Sequence, residues 1–448
     1  MNLRTAVALF STLAVAAGGA AACSSSSSPS SATGAPDGST STLTYYRDVQ
    51  PIIESKCQQC HNPQGIGPFP FETPQDVISR KALVGSAVST KVMPPWPPSD
   101  QCTTYDHDRS LSSAEITTIT DWIAQGAAVG DPSTQVKGTP PTGLSRVDLT
   151  LQMPSSFTPN ETPDDYRCFL IPWTPTTSVY VTGLGVRPGD PQIVHHAIAF
   201  IATPDQISQY QQLDSADPGP GWTCFGGPGL GAKAEWLGAW APGTLGSDFP
   251  AGTGVQVPVG SQIVLQVHYN TANTPPAPDQ TSVDVEIADT VATPAAVVPF
   301  TNPSWVKGNM EIPAGAPDTS YSFALDITPY ASLLSAGVLK DGVPLTVYSA
   351  GLHMHTRGTQ IKTTIERADG GTDCMLDIPA WNFSWQGAYY FSAPKVVKPG
   401  DQISLECHWN NTAANQPYVN GMQVAPSTLN WGETTEDEMC LDILYLTQ

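Results

Sequence analysis

Turns limit what this chain can become. From Leu144 to the C-terminus, proline and glycine interrupt it every few residues, in stretches such as VRPGDPQIV, DPGPGW and WAPGTLG. Proline lacks the amide donor that a helix interior or a central strand needs, and glycine admits the left-handed backbone of tight turns. The runs between the turns are rich in β-branched and aromatic residues, so they predict short strands in a sandwich or barrel. The full chain of 448 residues carries 43 Pro and 38 Gly but only 13% charged residues, a mix that disfavours long exposed helices.

A proline-rich break at Val291 to Trp305, VATPAAVVPFTNPSW, divides this region in two. The halves echo one another. GSQIVLQVHYN (Gly260 to Asn270) and GDQISLECHWN (Gly400 to Asn410) agree in Gly, Gln, Ile, Leu, His, an aromatic and Asn at matching steps. Each reads as a strand after a turn glycine, which predicts two related antiparallel β-sandwich domains over 144–290 and 291–448. Ahead of them, 43–130 ends in LSSAEITTITDWIAQGA. There Leu111, Ile116, Ile119, Trp122 and Ile123 keep a helical period, and Ser112 or Ser113 can cap it. Residues 131–143 form a Pro/Gly/Thr linker.

The formal charge of −21, with no basic cluster, argues against nucleic acid as a partner and points to small molecules or proteins. The N-terminus has Arg4, an apolar run from Ala6 to Ala17, and Ala20-Ala21-Ala22 before Cys23. This resembles a bacterial lipoprotein signal over 1–22, with Cys23 lipidated and a Ser-rich tether over 23–42. The implied location is the bacterial cell envelope, with membrane contact only through that lipid. The other reading is ordinary secretion with a free Cys23. No later run reaches the roughly 18 consecutive apolar residues of a spanning helix.

SKCQQCHNPQ holds C-x-x-C-H at Cys57, Cys60 and His61. Two thiols at this spacing can form thioethers to haem vinyl groups, and the adjacent imidazole then meets the iron. Met93 in KVMPPWPP is the expected sixth ligand. The segment resembles the cytochrome c family, down to the closing helix with Trp122, and the resemblance implies an α-helical domain over 43–130 holding haem c. A thioredoxin-like redox pair or a zinc knuckle would be the alternative, but neither a βαβ pattern nor a second C-x-x-C is present. Cys102, Cys168, Cys224, Cys374, Cys407 and Cys440 remain, an even number for an exported protein.

The histidines carry the strongest signal. IVHHAIAF places His195 and His196 side by side in a strand, where neighbouring side chains point to opposite faces. Both reach one metal only if the strand is bulged or ends there. His268 in LQVHYN would complete three imidazoles, a set that suits copper. In GLHMHTRG, His353 and His355 share a face and can chelate, while Met354 points the other way.

These stretches, in this order, and WGETTEDEMCLDILYL near the C-terminus resemble the copper type II, ascorbate-dependent monooxygenases. That is the family of peptidylglycine α-hydroxylating and dopamine β-monooxygenases. The resemblance implies two copper ions. His195, His196 and His268 would hold the electron-relay copper, and His353, His355 and Met439 the copper that activates O₂ for hydroxylation of a substrate C–H bond. It implies ascorbate or another external electron donor; that the haem segment could supplement or replace it is inferred from the adjacency of the two regions, not from the copper motifs. It also implies disulfides Cys168–Cys224 and Cys407–Cys440, leaving Cys102 and Cys374 unassigned. His408, at the repeat position of His268, is read as structural and His107 as solvated.

Gly351, Leu441 and Ile443 stand where the peptidylglycine branch has Arg, Asn and Tyr, which disfavours a peptide C-terminus as substrate; Arg357 lies near enough to serve an anion. The substrate class implied is a small organic or peptide-derived molecule. A non-catalytic copper-binding or electron-transfer lipoprotein is the main rival, and a haem sensor with metal-free β domains a third possibility. A zinc hydrolase is disfavoured, since H-E-x-x-H is absent and methionine is a poor zinc ligand.

Overall fold

Apolar strands bury both faces when sheets stack, and the computed structural model is built on that pattern. It describes residues 42–63, 65–229, 231 and 234–448; the expected leader, Cys23 and nearly all of the serine tether lie outside these. Strands Asp164–Pro172, Val194–Ala202, Glu235–Trp240 and Gln262–Asn270 are neighbours in a 14-stranded sheet. Together with Val179–Arg187 and Ser282–Ala288 they enclose a core of Phe169, Val181, Ile201, Ile263, Leu265 and Val283.

The same sheet continues into the C-terminal half. Thr293–Phe300 pairs antiparallel with Leu441–Thr447 and parallel with Thr253–Val257. The expected break at 291–305 is therefore largely a strand, and it joins the halves it was expected to divide. Beyond it, Leu441–Thr447 pairs with Leu345–His353. A separate four-stranded sheet, Thr319–Leu325, Gln402–Trp409, Gly358–Glu366 and Thr372–Ile378, covers a core that includes Val347, Ile361, Leu405 and Leu444. Both echoed stretches are strands flanked on each side by others, and each follows a glycine with positive φ, +79° at Gly260 and +94° at Gly400.

The expected fold class is corrected at the N-terminal end. Among the described residues the protein is mostly β, 34% strand against 16% helix, and no helical domain stands apart from the sandwich. Residues 43–130 do contain helices, but they are short: Gln50–Lys56, Pro74–Ser79, Lys81–Ser89 and Ser113–Ala124. The last is capped as its sequence predicts, by a reciprocal pair between Ser112 and Glu115, and it buries Ile119 and Trp122. What removes independence is the stretch after the third helix. Cys102 is disulfide-bonded to Cys374, the Tyr105 hydroxyl donates to Met375 O at 3.0 Å, and Tyr105 bridges to Phe391. Leu43–Gln448 is accordingly one compact unit. Among the described residues, no helix is long and apolar enough to cross a membrane.

Candidate metal centre

The adjacent histidines sit on an irregularity. Val194 pairs with Tyr269 and His196 with His268, so His195 is an extra residue in its strand. This bulge re-aims one side chain, and both imidazoles turn toward His268. His196 Nδ1 lies 3.3 Å from His195 Nδ1 and 3.4 Å from His268 Nδ1. Metal–nitrogen bonds of about 2.0–2.1 Å in a tetrahedral shell set nitrogens about 3.3 Å apart, so the three fit one ion. Among the described residues these three form the cluster of His, Cys, Asp and Glu groups close enough to hold a metal.

Two of the three imidazoles are held from behind. His268 donates through Nε2–H to Asp164 Oδ1 at 2.8 Å, which keeps Nδ1 unprotonated toward the cluster, and its ring stacks on Tyr166 at 4.0 Å. His195 stacks on Phe383 at 4.2 Å.

The second set begins where strand Leu345–His353 ends. Met354 is buried in the C-terminal core, while the rings of His353 and His355 stand 5.1 Å apart. His353 Nδ1–H donates to Gln386 Oε1 at 2.6 Å and His355 Nδ1–H to Asp437 O at 3.2 Å, so both present Nε2 as the free ligand atom. Met439 is buried and follows Glu438. The Glu438 carboxylate accepts from the backbone N–H groups of His355 and Arg357 and from Trp409 Nε1. Cys440, bonded to Cys407, fixes the other side of Met439. The two sets meet: the rings of His196 and His353 are 6.1 Å apart.

Burial keeps all five imidazoles neutral and ready to ligate. It pushes His195 and His353 down to about 4, and holds His196, His268 and His355 well below the usual histidine range, with neighbouring histidines adding to the effect on all but His353.

Elsewhere the expectations divide. Cys168–Cys224 and Cys407–Cys440 are both formed, and Cys102 pairs with Cys374. His408 lies outside the site, between Asp318 and Glu406. Arg357 is fully buried, bonded to Gln416, Thr356 and Thr435, and is not free to grip an anion.

Cys57 and Cys60 are free thiols. His61 Nδ1–H donates to Phe69 O at 2.9 Å, leaving Nε2 open, and its ring lines a cavity of about 530 Å³. A Cβ on Gly67 would stand 2.8 Å from Cys60 O, so the turn tolerates no side chain there. Two free thiols and an imidazole are the residue types a covalent haem takes, but neither Cys57 nor Cys60 is among the residues lining that cavity. Met93 follows helix Lys81–Ser89 and is not among the residues lining that cavity.

Asp164, Gln386, Phe383 and Glu438 were not named by sequence reasoning. Only Glu438 left a signal, as the residue before Met439.

Comparison with known proteins bears on the second set most directly. Residues 305–447 match the family described as "Copper type II ascorbate-dependent monooxygenase, C-terminal domain", a span that includes His353, His355 and Met439. A human protein, "Putative DBH-like monooxygenase protein 2", is 25% identical over 230 residues, which cover 50% of this chain and 42% of that protein. The chain thus spans less than half the length of this relative. Among solved structures, the major capsid protein P2 of bacteriophage PM2 aligns at 7% identity and a TM-score of 0.25, covering 67% of this chain and 96% of that one. PNGase F, a glycosylasparaginase from Flavobacterium meningosepticum, aligns at 11% and 0.28 over the same shares. Neither structural alignment carries an argument. The family match begins at residue 305 and lends nothing to the cytochrome c resemblance of 43–130. What the matched C-terminal region and the distant relative support is the copper type II ascorbate-dependent monooxygenase family.

Proposed function

We propose that the chain is an exported copper-dependent monooxygenase that hydroxylates a C–H bond of a small organic or peptide-derived substrate with O₂. The observation that carries this reading is the meeting of His195, His196 and His268 with His353 and His355 at one partly buried site. Copper held by these residues and Met439 would supply one-electron redox chemistry and O₂ activation. The chain's own part is orientation: Asp164 and Gln386 fix which nitrogen each partner histidine presents. Leu441 pairs with His353 and Ile443 with Gly351, so both share the sheet face of His353. Leu441 and Ile443 are the apolar groups nearest His353 on it, which favours a substrate whose reacting end is hydrocarbon.

Electrons are proposed to come from ascorbate or another external donor, or from haem c on Cys57, Cys60 and His61. The haem reading is supported by where the turn docks. Gln59 Nε2 donates to Gly243 O at 2.8 Å, and Arg109 donates to the same oxygen. Gly243 lies three residues past Trp240, which pairs with Ala197, the neighbour of His196. Export, with a lipid on Cys23, is supported by the leader pattern and by three disulfides, which persist in an oxidising compartment.

The test is metal content and isotope incorporation. The full chain, expressed with haem maturation and loaded with copper, is expected to hold two Cu and one Fe and to place label from ¹⁸O₂ in a hydroxylated product. One copper would mean a misassigned ligand set, with Met439 the first suspect. Two coppers without hydroxylation across a substrate screen would favour a copper-binding electron carrier. No copper would overturn the reading.

A further inference from the structure

We infer that Asp164 is a positioning residue that sets both ligand groups at once; the inference rests on the copper reading above. Asp164 opens strand Asp164–Pro172 and is buried. Its two oxygens face different parts of the chain. Oδ1 accepts from His268 Nε2 at 2.8 Å and from Asn270 Nδ2 at 3.0 Å. Oδ2 accepts from Thr435 N at 2.9 Å and Thr435 Oγ1 at 2.6 Å. One carboxylate therefore holds a ligand of the first set and the loop that leads to Met439.

The loop side continues to the second set. Thr435 O accepts from Thr356 Oγ1 at 3.1 Å and Arg357 Nη1 at 3.0 Å, on the two residues that follow His355. Two positions on, Asp437 O accepts from His355 Nδ1. A shift of Asp164 thus moves His268 directly and His355 through Thr435.

Chemistry explains why the residue should be a carboxylate. Its four donors are an imidazole, an amide, a hydroxyl and a peptide N–H, none a lysine or arginine. A carboxylate can accept from donors on both sides at once, and its bond to Nε2–H fixes the tautomer of His268 and raises the basicity of the far nitrogen that would ligate an ion. An amide cannot serve both sides. If its oxygen faces Thr435, its NH₂ meets His268 Nε2 and drives the proton to Nδ1, the ligand atom. If the oxygen faces His268, the NH₂ opposes the Thr435 N–H.

The test compares wild type, Asp164→Asn and Thr435→Val after copper loading. Cu(II) EPR and competitive Cu(I) affinity report on the histidine sites, and X-ray absorption of Cu(I) reports the sulfur scattering of Met439. Asp164→Asn is expected to weaken the three-histidine site by about 10- to 100-fold and change its hyperfine pattern, with the sulfur contribution also reduced. Thr435→Val is expected to change the second set, its sulfur contribution included, and to leave the hyperfine pattern of the three-histidine site as in wild type. Lower thermal stability with unchanged affinity and spectra in Asp164→Asn would overturn the inference, as would an unchanged sulfur signal in Thr435→Val. If Asp164→Asn does not fold, Asp164→Glu replaces it under the same criteria. Copper missing from the wild type would instead overturn the copper reading and this inference with it.

Discussion

His196 and His353 come from opposite halves of the β body, yet their rings stand 6.1 Å apart at 85°. Two ions on these sets would therefore sit close to one another rather than at remote sites. Loading both with Cu(II) is expected to broaden the EPR signal by dipolar coupling, and His353→Ala, holding one ion, is expected to sharpen it. Identical line widths in the two proteins would place the ions far apart and contradict the geometry.

Gln386 makes a 2.6 Å hydrogen bond to His353, and its Nε2 donates to Phe383 O, so one loop orients His353 and presses Phe383 on His195. Gln386→Leu leaves His353 free to change tautomer and rotate. Copper affinity of the second set, or turnover, is expected to fall about 10- to 100-fold, with the first set's EPR signal retained. A change confined to the first set would show that the loop acts through Phe383 instead.

Asp442 gives a pH dependence with a definite sign. It is fully buried, and burial raises its carboxyl from the ordinary value of 3.8 to about 7, against the opposing pull of hydrogen bonds from Thr363 and the Gly351 and Ile443 backbone. The folded state then holds the proton more tightly than the unfolded chain. This group's contribution is fully present below pH 4, declines as pH rises toward 7, and is flat above that. The slope is about 1.4 kcal/mol per pH unit for one proton. Asp442→Asn keeps the acceptor for Gly351 N–H and removes the slope. Urea unfolding of both proteins from pH 4 to 8 should show their difference growing in favour of the variant and then levelling; a constant difference would exclude titration of Asp442.

Local chemistry made part of this readable. Two adjacent histidines on a strand imply a bulge, and the pairing of Val194 and His196 with consecutive residues of the partner strand has one. The reciprocal cap of Ser112 and Glu115 was likewise written within four residues. What escaped depends on distant partners. Asp164 is 271 residues from Thr435, and Cys102 is 272 from Cys374. The helical period before Gly130 carried no sign that the preceding loop is fastened to strands of the C-terminal half, and a self-standing domain was the wrong extrapolation. Likewise, prolines at 294 and 299 suggested a break, but edge-tolerant positions in a strand accommodate them.

The Cys102–Cys374 bridge closes the longest of the three disulfide loops. Cross-linking restricts the unfolded chain more as the loop lengthens, so replacing both cysteines with serine is expected to destabilise the protein by about 2–5 kcal/mol. Copper content should survive, because the histidine sets and the bonds of Tyr105 to Met375 and Phe391 do not involve the bridge.

With haem c held on Cys57, Cys60 and His61 as proposed above, two electron routes would leave that turn, one of them through Trp385. Its ring lies 3.8 Å from where a Cβ on Gly243 would stand, and it precedes Gln386, the partner of His353. The other route runs from Gly243 back through Trp240 to the strand of His196. In haem-loaded protein, Trp385→Leu is expected to slow oxidation of ferrous haem by bound Cu(II), read by stopped-flow absorbance, with copper affinity unchanged. An unaltered rate would assign transfer to the Trp240 side and to the His195, His196 and His268 set. That outcome would leave His353, His355 and Met439 to receive electrons only across the 6.1 Å contact between His196 and His353.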